Sequence, residues 1–218
     1  MARRDPVLVI GLGRFGKALA GELVSLGHEV LGVDTDRRIV QSAMDELTHV
    51  VQADATDAEA LRQIGAGDFS TGVIAIGTDV QASILATYAL VDVGVERIWA
   101  KAITSAHGAI LERVGAHRVV FPERDMGVRV AHTLGGRTLD YLELDEKFAL
   151  IETTVPDGMA GKTLEEAGVR RRHGVSVVCV KRPGGRFDYA TPDTVIHADD
   201  VLVIAGERRK AEDFAALE

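Results

Sequence analysis

The chain has 218 residues, 46% hydrophobic and 27% charged, which suffices for one large domain or for a domain of ordinary size with a smaller one. No low-complexity stretch interrupts it, so the composition excludes a disordered chain. The formal net charge of -8 is spread over both halves and offers no basic face to a phosphate backbone, which argues against nucleic acid as a partner.

The opening MARRDPVLVIGLG has the look of a signal peptide, but its apolar run is only about seven residues long before Arg14, and no cleavage-type sequence follows. It reads better as a first strand. No segment approaches the roughly 18 apolar residues that cross a bilayer, so any membrane role is expected through a partner and the expected compartment is the cytoplasm. Strands are predicted at Val7 to Ile10, Val30 to Val33, His49 to Gln52, Thr71 to Ile76, Arg97 to Ala102 and Arg118 to Phe121, with helix-length segments between them. Continuous apolar runs such as Val73-Ile74-Ala75-Ile76 suit strands covered on both faces. This pattern predicts an α/β fold, a Rossmann-type doubly wound parallel sheet.

Pro122 then opens a helix from Glu123 to Leu134, with Met126, Val130 and Leu134 recurring every four positions, and Gly135-Gly136 ends it. Beyond it the segments shorten and alternate, at Phe148 to Val155, Val175 to Val180 and Val201 to Ile204, before a terminal helix from Arg209 to Leu217. The expected division is a nucleotide-binding domain with its crossover helix over residues 1–135 and a small α+β domain over 136–218. The single cysteine, Cys179, lies in an apolar strand and reads as a buried small hydrophobe, so no internal disulfide can form.

Chemistry concentrates in Gly11-Leu12-Gly13-Arg14-Phe15-Gly16, which follows the first strand directly and opens a helix. Gly11 permits a tight turn, Gly13 lets a phosphate approach the backbone, and Gly16 lets the helix pack on the sheet. Asp34 closes the second strand 18 positions after Gly16, where a carboxylate accepts both ribose hydroxyls and repels a 2'-phosphate. Nucleotide binding is therefore expected, with NADP disfavoured. Arg14 stands where a cation meets a terminal phosphate, or is simply solvated. Asp54, Gly77-Thr78-Asp79, Lys101 and Glu123 follow successive strands at the carboxyl ends where open α/β sheets bind ligands, although Glu123 after Pro122 is also what a helix dipole favours. Gly161-Lys162-Thr163 resembles the tail of a P-loop but has Pro156 where that motif needs glycine, and Thr163 with Glu166 reads instead as a capping box. Arg170-Arg171-Arg172-His173, placed near the end of that short helix, is the densest positive cluster and reads as a solvated face that complements the helix dipole. No G-x-S-x-G, no H-E-x-x-H and no histidine spacing for a metal is present, so binding without catalysis is the economical reading.

The glycine turn, Gly27-His28-Glu29-Val30, Asp34, Gly77 with Gln81-Ala82-Ser83, Trp99-Ala100-Lys101-Ala102 and Phe121-Pro122-Glu123-Arg124-Asp125-Met126-Gly127 together resemble the KtrA/TrkA family, the regulators of potassium conductance (RCK). The resemblance spans almost the whole chain, as a nucleotide-binding N-lobe, a crossover helix and a small C-lobe, and is nearer to the one-copy KtrA members than to TrkA proteins that carry the pair of lobes twice. It implies ATP and ADP in the N-lobe, with phosphates on Gly11, Gly13 and Gly16, ribose on Asp34, and adenosine near Asp54 and Ala55. Phe15, Gly77, Thr78 and Lys101 complete the nucleotide set. It also implies Arg14 at the terminal phosphate, Glu123 placing a cation such as Mg2+ or Na+, and cyclic di-AMP between two C-lobes through Arg170, His173 and Pro192. The implied partners are an integral-membrane potassium-translocating subunit of the KtrB or TrkH kind, and further copies of the chain, as dimers in an octameric ring on the inner face of the plasma membrane. Asp54 departs from the asparagine expected of KtrA, and the arginine run and Gly168 depart from the expected C-lobe. Two other functions remain open from the residues alone: a small oxidoreductase using NAD or NADH, which Asp34 suits equally, and the cytoplasmic portion of a potassium channel.

Overall fold

The computed structural model describes residues 5–217. β1 (Val7–Ile10), β2 (Val30–Asp34), β3 (His49–Gln52), β4 (Thr71–Ile74), β5 (Arg97–Lys101) and β6 (Arg118–Val120) form one sheet in the order β3-β2-β1-β4-β5-β6. Every neighbouring pair in it is parallel. Helices α1 (Arg14–Ser25), α2 (Arg37–Ala43), α3 (Ala58–Gln63), α4 (Val80–Asp92) and α5 (Ser105–Val114) fill the connections between successive strands. Leu8 and Ile10 of β1 pack into one buried cluster while Val7 and Val9 pack into another, because successive side chains on a strand point to opposite faces. That is why the run is apolar without a break. The chain winds outward from β1 to β3, returns to β4 and continues the other way, so the strand order reverses between β1 and β4 and a crevice opens at their carboxyl ends. The fold class is the expected one. β4 ends at Ile74, two residues early, although Ala75 N still donates to Ile10 O at 2.7 Å.

Next comes α6 (Pro122–Thr133), and after it β7 (Thr138–Asp145), β8 (Phe148–Thr154), α7 (Leu164–Ala167), α8 (Val169–His173), β9 (Val175–Lys181), β10 (Phe187–Tyr189), β11 (Val201–Glu207) and α9 (Arg208–Ala215). The five strands form an antiparallel sheet in the order β10-β9-β11-β8-β7. Alternation places Ala149, Ile151 and Thr153 of β8, with Leu202 and Ile204 of β11, in a core closed by Ala211 and Phe214 of α9.

The described residues divide into two compact units between Glu123 and Arg124, which groups almost all of α6 with the second unit, whereas the sequence reading draws the boundary after residue 135. The physical reason lies in its contacts. α6 has no buried residue, yet Arg129 donates to both carboxylate oxygens of Asp140 and the His132 ring stacks on Tyr141 with centroids 3.8 Å apart. Two expectations are corrected. Gly168, at a left-handed φ of 62°, ends α7 and starts a separate turn, so Arg170 to His173 belong to α8 and not to the end of the preceding helix. Cys179 is in a strand as expected but only half-buried, because β9 carries an extra residue, Val178, where its register with β11 slips.

Candidate functional site

The glycine turn separates two kinds of glycine. Gly11 adopts φ 89°, and a Cβ on Gly16 would lie 1.8 Å from the Gly11 carbonyl oxygen, so the fold itself demands both. A Cβ on Gly13 would meet nothing within 4 Å. Gly13 is exposed at the mouth of α1, where an incoming group has direct access to the backbone.

The α1 terminus is also left uncapped. No side chain caps Gly13 and no acid occupies the first turn, whereas Asp36, Asp57, Asp79 and Thr104 cap α2, α3, α4 and α5. Arg14 instead puts a cation at the positive end of the helix, an arrangement that costs about 0.3–1 kcal/mol unless an anion joins it. An uncapped helix end of this kind can accept an anion.

Beside this turn, Asp34 ends β2, with Oδ2 accepting from Leu12 N at 2.8 Å and Oδ1 from Asp36 N at 2.9 Å. The two amides fix the carboxylate and leave a second lone pair on each oxygen, which is what two adjacent hydroxyls require. Asp54 is exposed and turned on its own loop: Oδ1 accepts from Thr56 Oγ1 at 2.7 Å and Thr56 N at 2.9 Å, and these bonds hold its carboxyl below the usual range. The Ala55 side chain is buried in the core, so only its backbone is available to a ligand.

On the other side of the strand-order reversal, Lys101 ends β5 almost wholly buried and donates to Glu123 Oε1 at 2.5 Å. Its Nζ lies 5.7 Å from the centroid of the Phe15 ring, and it would stand 2.8 Å from a Cβ on Gly77. The lack of a side chain at Gly77 is what admits the ammonium. Thr78 is exposed, and Asp79 is occupied in capping α4 by accepting from Ala82 N at 2.9 Å. Lys101 pulls the Glu123 carboxyl below the usual range, and Arg14 adds to the effect. The structure thus unites Arg14, Phe15, Gly77, Lys101 and Glu123. Nothing in the sequence announced the Lys101–Glu123 pair. No group of three or more acidic, histidine or cysteine side chains among the described residues is arranged by itself to hold a metal, and Glu123, the carboxylate expected to place a cation beside a nucleotide's phosphates, accepts from Lys101 through Oε1.

The second unit has its own cavity of about 390 Å³, lined by Arg170, Arg171, Ser176, Val177, Thr191 and Pro192 among others. Arg170 and Pro192 meet there as expected. His173 does not line it, because its ring packs edge-on against Phe214 at 5.3 Å. Arg171, Ser176 and Thr191 were not foreseen: the serine and threonine carry no motif, and Arg171 could not be told from its neighbours in the run. Thr163 and Glu166 form the expected capping box, with bonds of 2.8 and 3.2 Å.

The TrkA-N domain family matches residues 7–122 and the TrkA-C domain family matches residues 149–217. Over 207 residues the chain is 35% identical to Ktr system potassium uptake protein A of Bacillus subtilis (strain 168), covering 94% of this chain and 93% of that protein. Over 201 residues it is 38% identical to Ktr system potassium uptake protein C of the same organism, covering 91% and 90%. The structure also resembles the GsuK channel bound to NAD, with a TM-score of 0.67 at 23% identity over all of this chain, which spans 40% of the channel chain. The chain belongs to the family of Ktr and Trk potassium uptake proteins that pair a TrkA-N with a TrkA-C domain.

Proposed function

We propose that the chain is the nucleotide-sensing regulatory subunit of a potassium uptake system, binding ATP or ADP at the turn between β1 and α1 and controlling flux through a separate membrane subunit. The carrying observation is the pairing of an open Gly13 with a carboxylate, Asp34, held by two backbone amides beside an uncapped helix end. Gly11 and Gly16 shape the turn, α1 amides and Arg14 meet the phosphates, and Asp34 holds the ribose. Adenosine lies toward Asp54 and Ala55. GsuK has been solved bound to NAD and also bound to ADP, which supports a nucleotide as the class of ligand and keeps NAD as a candidate. Likeness to potassium uptake proteins over nearly the whole length favours regulation over the oxidoreductase reading.

As a subunit of such a system the chain would assemble with further copies, as dimers within an octameric ring, and dock from the cytoplasm on a KtrB- or TrkH-like partner. Mg2+ or Na+ would then be held by phosphate oxygens with the help of Glu123. The cavity beside Arg170 and Arg171 suits an anionic ligand, and cyclic di-AMP shared by two copies is the candidate there.

The test is thermal denaturation of the full chain with ATP, ADP, NAD and NADP in turn. ATP or ADP at about 100 times its dissociation constant should stabilise by about 2.7 kcal/mol, and Asp34→Ala should remove most of that. Stabilisation by NADP alone would overturn the proposal.

A further inference from the structure

The wall of the second unit's cavity that carries Thr191 and Pro192 belongs to no helix or strand. It opens the stretch 190–200 between β10 and β11, and other parts of the chain hold that stretch along its length. Glu165 N donates to Pro192 O at 3.0 Å, Leu164 N to Thr194 O at 3.0 Å and Gly161 N to Ile196 O at 2.8 Å, while Ile196 N donates to Lys162 O at 2.9 Å. Thr163 N and Glu166 N are spent inside the capping box. The opening amides of α7 are thus all taken by the chain itself, so an anion in the cavity must rely on side chains, chiefly Arg170 and Arg171 of α8.

The far end of the stretch is fastened by a buried charge. The Asp200 side chain is wholly buried, and its Oδ2 accepts from Arg182 Nη1 and from His197 N, the latter at 2.7 Å. Arg182 Nη2 donates to Val195 O at 2.9 Å. Burying a carboxylate costs stability that one ion pair returns only in part, whereas the planar fork of a guanidinium fixes two groups in one geometry. Here the two groups are both on the stretch. Arg182 itself directly follows β9, the strand whose other end supplies Ser176 and Val177 to the cavity.

We infer that Arg182 and Asp200 are positioning residues for the anion cavity: their pair sets the stretch 190–200 against α7 and so holds Thr191 and Pro192 in place beside Arg170 and Arg171. Neither residue of the pair lines the cavity, so they act on a ligand only through the wall they hold. The inference rests on the reading of the cavity as an anion site and goes beyond it by naming what fixes its wall. When the pair is weakened, the wall is in place in a smaller fraction of molecules, and the apparent dissociation constant rises by the inverse of that fraction.

Hydrogen exchange and calorimetry with cyclic di-AMP, both on the full chain, test this. Arg182→Lys keeps a positive charge beside Asp200 but replaces the fork with a single point, so the bond to Val195 O is lost. Exchange at the Leu164, Glu165 and Ile196 amides should quicken about threefold to tenfold, the amides of β11 should stay unchanged, and cyclic di-AMP should bind more weakly by a similar factor. Asp200→Asn should produce the same pattern more strongly. The Arg182 side chain is 40% exposed, so Arg182→Lys remains informative even if Asp200→Asn does not fold. Unchanged exchange in Arg182→Lys, faster exchange spread equally over β11, or faster exchange with unchanged affinity overturns the inference alone. Failure of the unmodified chain to bind cyclic di-AMP, or full binding by Arg170→Ala, overturns the reading of the cavity and the inference with it.

Discussion

At Gly16 an added methyl group would lie 1.8 Å from the Gly11 carbonyl oxygen, so Gly16→Ala has to push α1 away from β1, with an expected loss of about 1–3 kcal/mol. Gly13 has φ -63° and ψ -172°, which alanine adopts freely, and no neighbour for a methyl group. Gly13→Ala should hold its stability within about 0.5 kcal/mol of the unmodified chain. It should nevertheless lose the melting shift that ATP or ADP produces, because the methyl group occupies the path of a phosphate to the backbone. Thermal denaturation with and without nucleotide checks both variants. A full nucleotide response in Gly13→Ala would place the phosphates elsewhere. The two glycines look alike in the sequence, and only their neighbours in space separate a packing role from a binding one.

Among the elements, α7 and α6 show how different attachments respond to change. α7 is only four residues long and depends on its capping box, so Thr163→Ala should cost about 1 kcal/mol in chemical denaturation. α6 has no buried residue and is held to its unit through Arg129–Asp140 and the His132–Tyr141 stack. Burial and the nearby Glu212 push the Tyr141 phenol up to about 12, so its hydroxyl remains protonated and donates to Glu212 Oε1 at 3.3 Å. Arg129 holds the Asp140 carboxyl below the usual range. A depressed folded-state value means that the stabilisation is complete above the unfolded value, near about pH 4, and is lost as pH falls through the lower folded value. Hydrogen exchange at the α6 amides should therefore accelerate over that acid window beyond its intrinsic pH dependence. Arg129→Met should exchange fast already at neutral pH; unchanged protection in that variant would show that another contact holds the helix. The parallel strands were legible because burial on both faces leaves continuous apolar runs, as at Val73 to Ile76. β7 was not, since only Tyr141 in its eight residues is buried, and β10 is three exposed residues. In the site, the glycine turn and Asp34 were legible from spacing. The Lys101–Glu123 pair was not, because the end of β5 and the first turn of α6, 22 positions apart, meet only once the sheet forms.

For the whole molecule, Met126 and Val130 of α6 and Leu134 just past its end are 53%, 46% and 81% exposed, which leaves an apolar stripe uncovered by the chain itself. Light scattering at micromolar concentration should show an oligomer, and a monomer with and without nucleotide would contradict assembly through such faces. In that assembly ATP and ADP should hold different states, and charge supplies the reason. On the proposed reading ATP extends a further phosphate beyond the Gly13 end of α1, where Arg14 provides positive charge. ADP lacks that group, so Arg14 would lose the contact. A ligand shifts an equilibrium only by its differential affinity for the two states, and couplings of about 1–3 kcal/mol per site, repeated over identical subunits, make the response steep. Arg14→Ala should leave ADP binding nearly intact while erasing the difference between ATP and ADP. The measurement is potassium flux in vesicles that contain the membrane subunit and this protein, with each nucleotide in turn. The unmodified protein should give unequal flux with the two nucleotides and Arg14→Ala equal flux; equal flux from the unmodified protein would refute the switch even if both nucleotides bind.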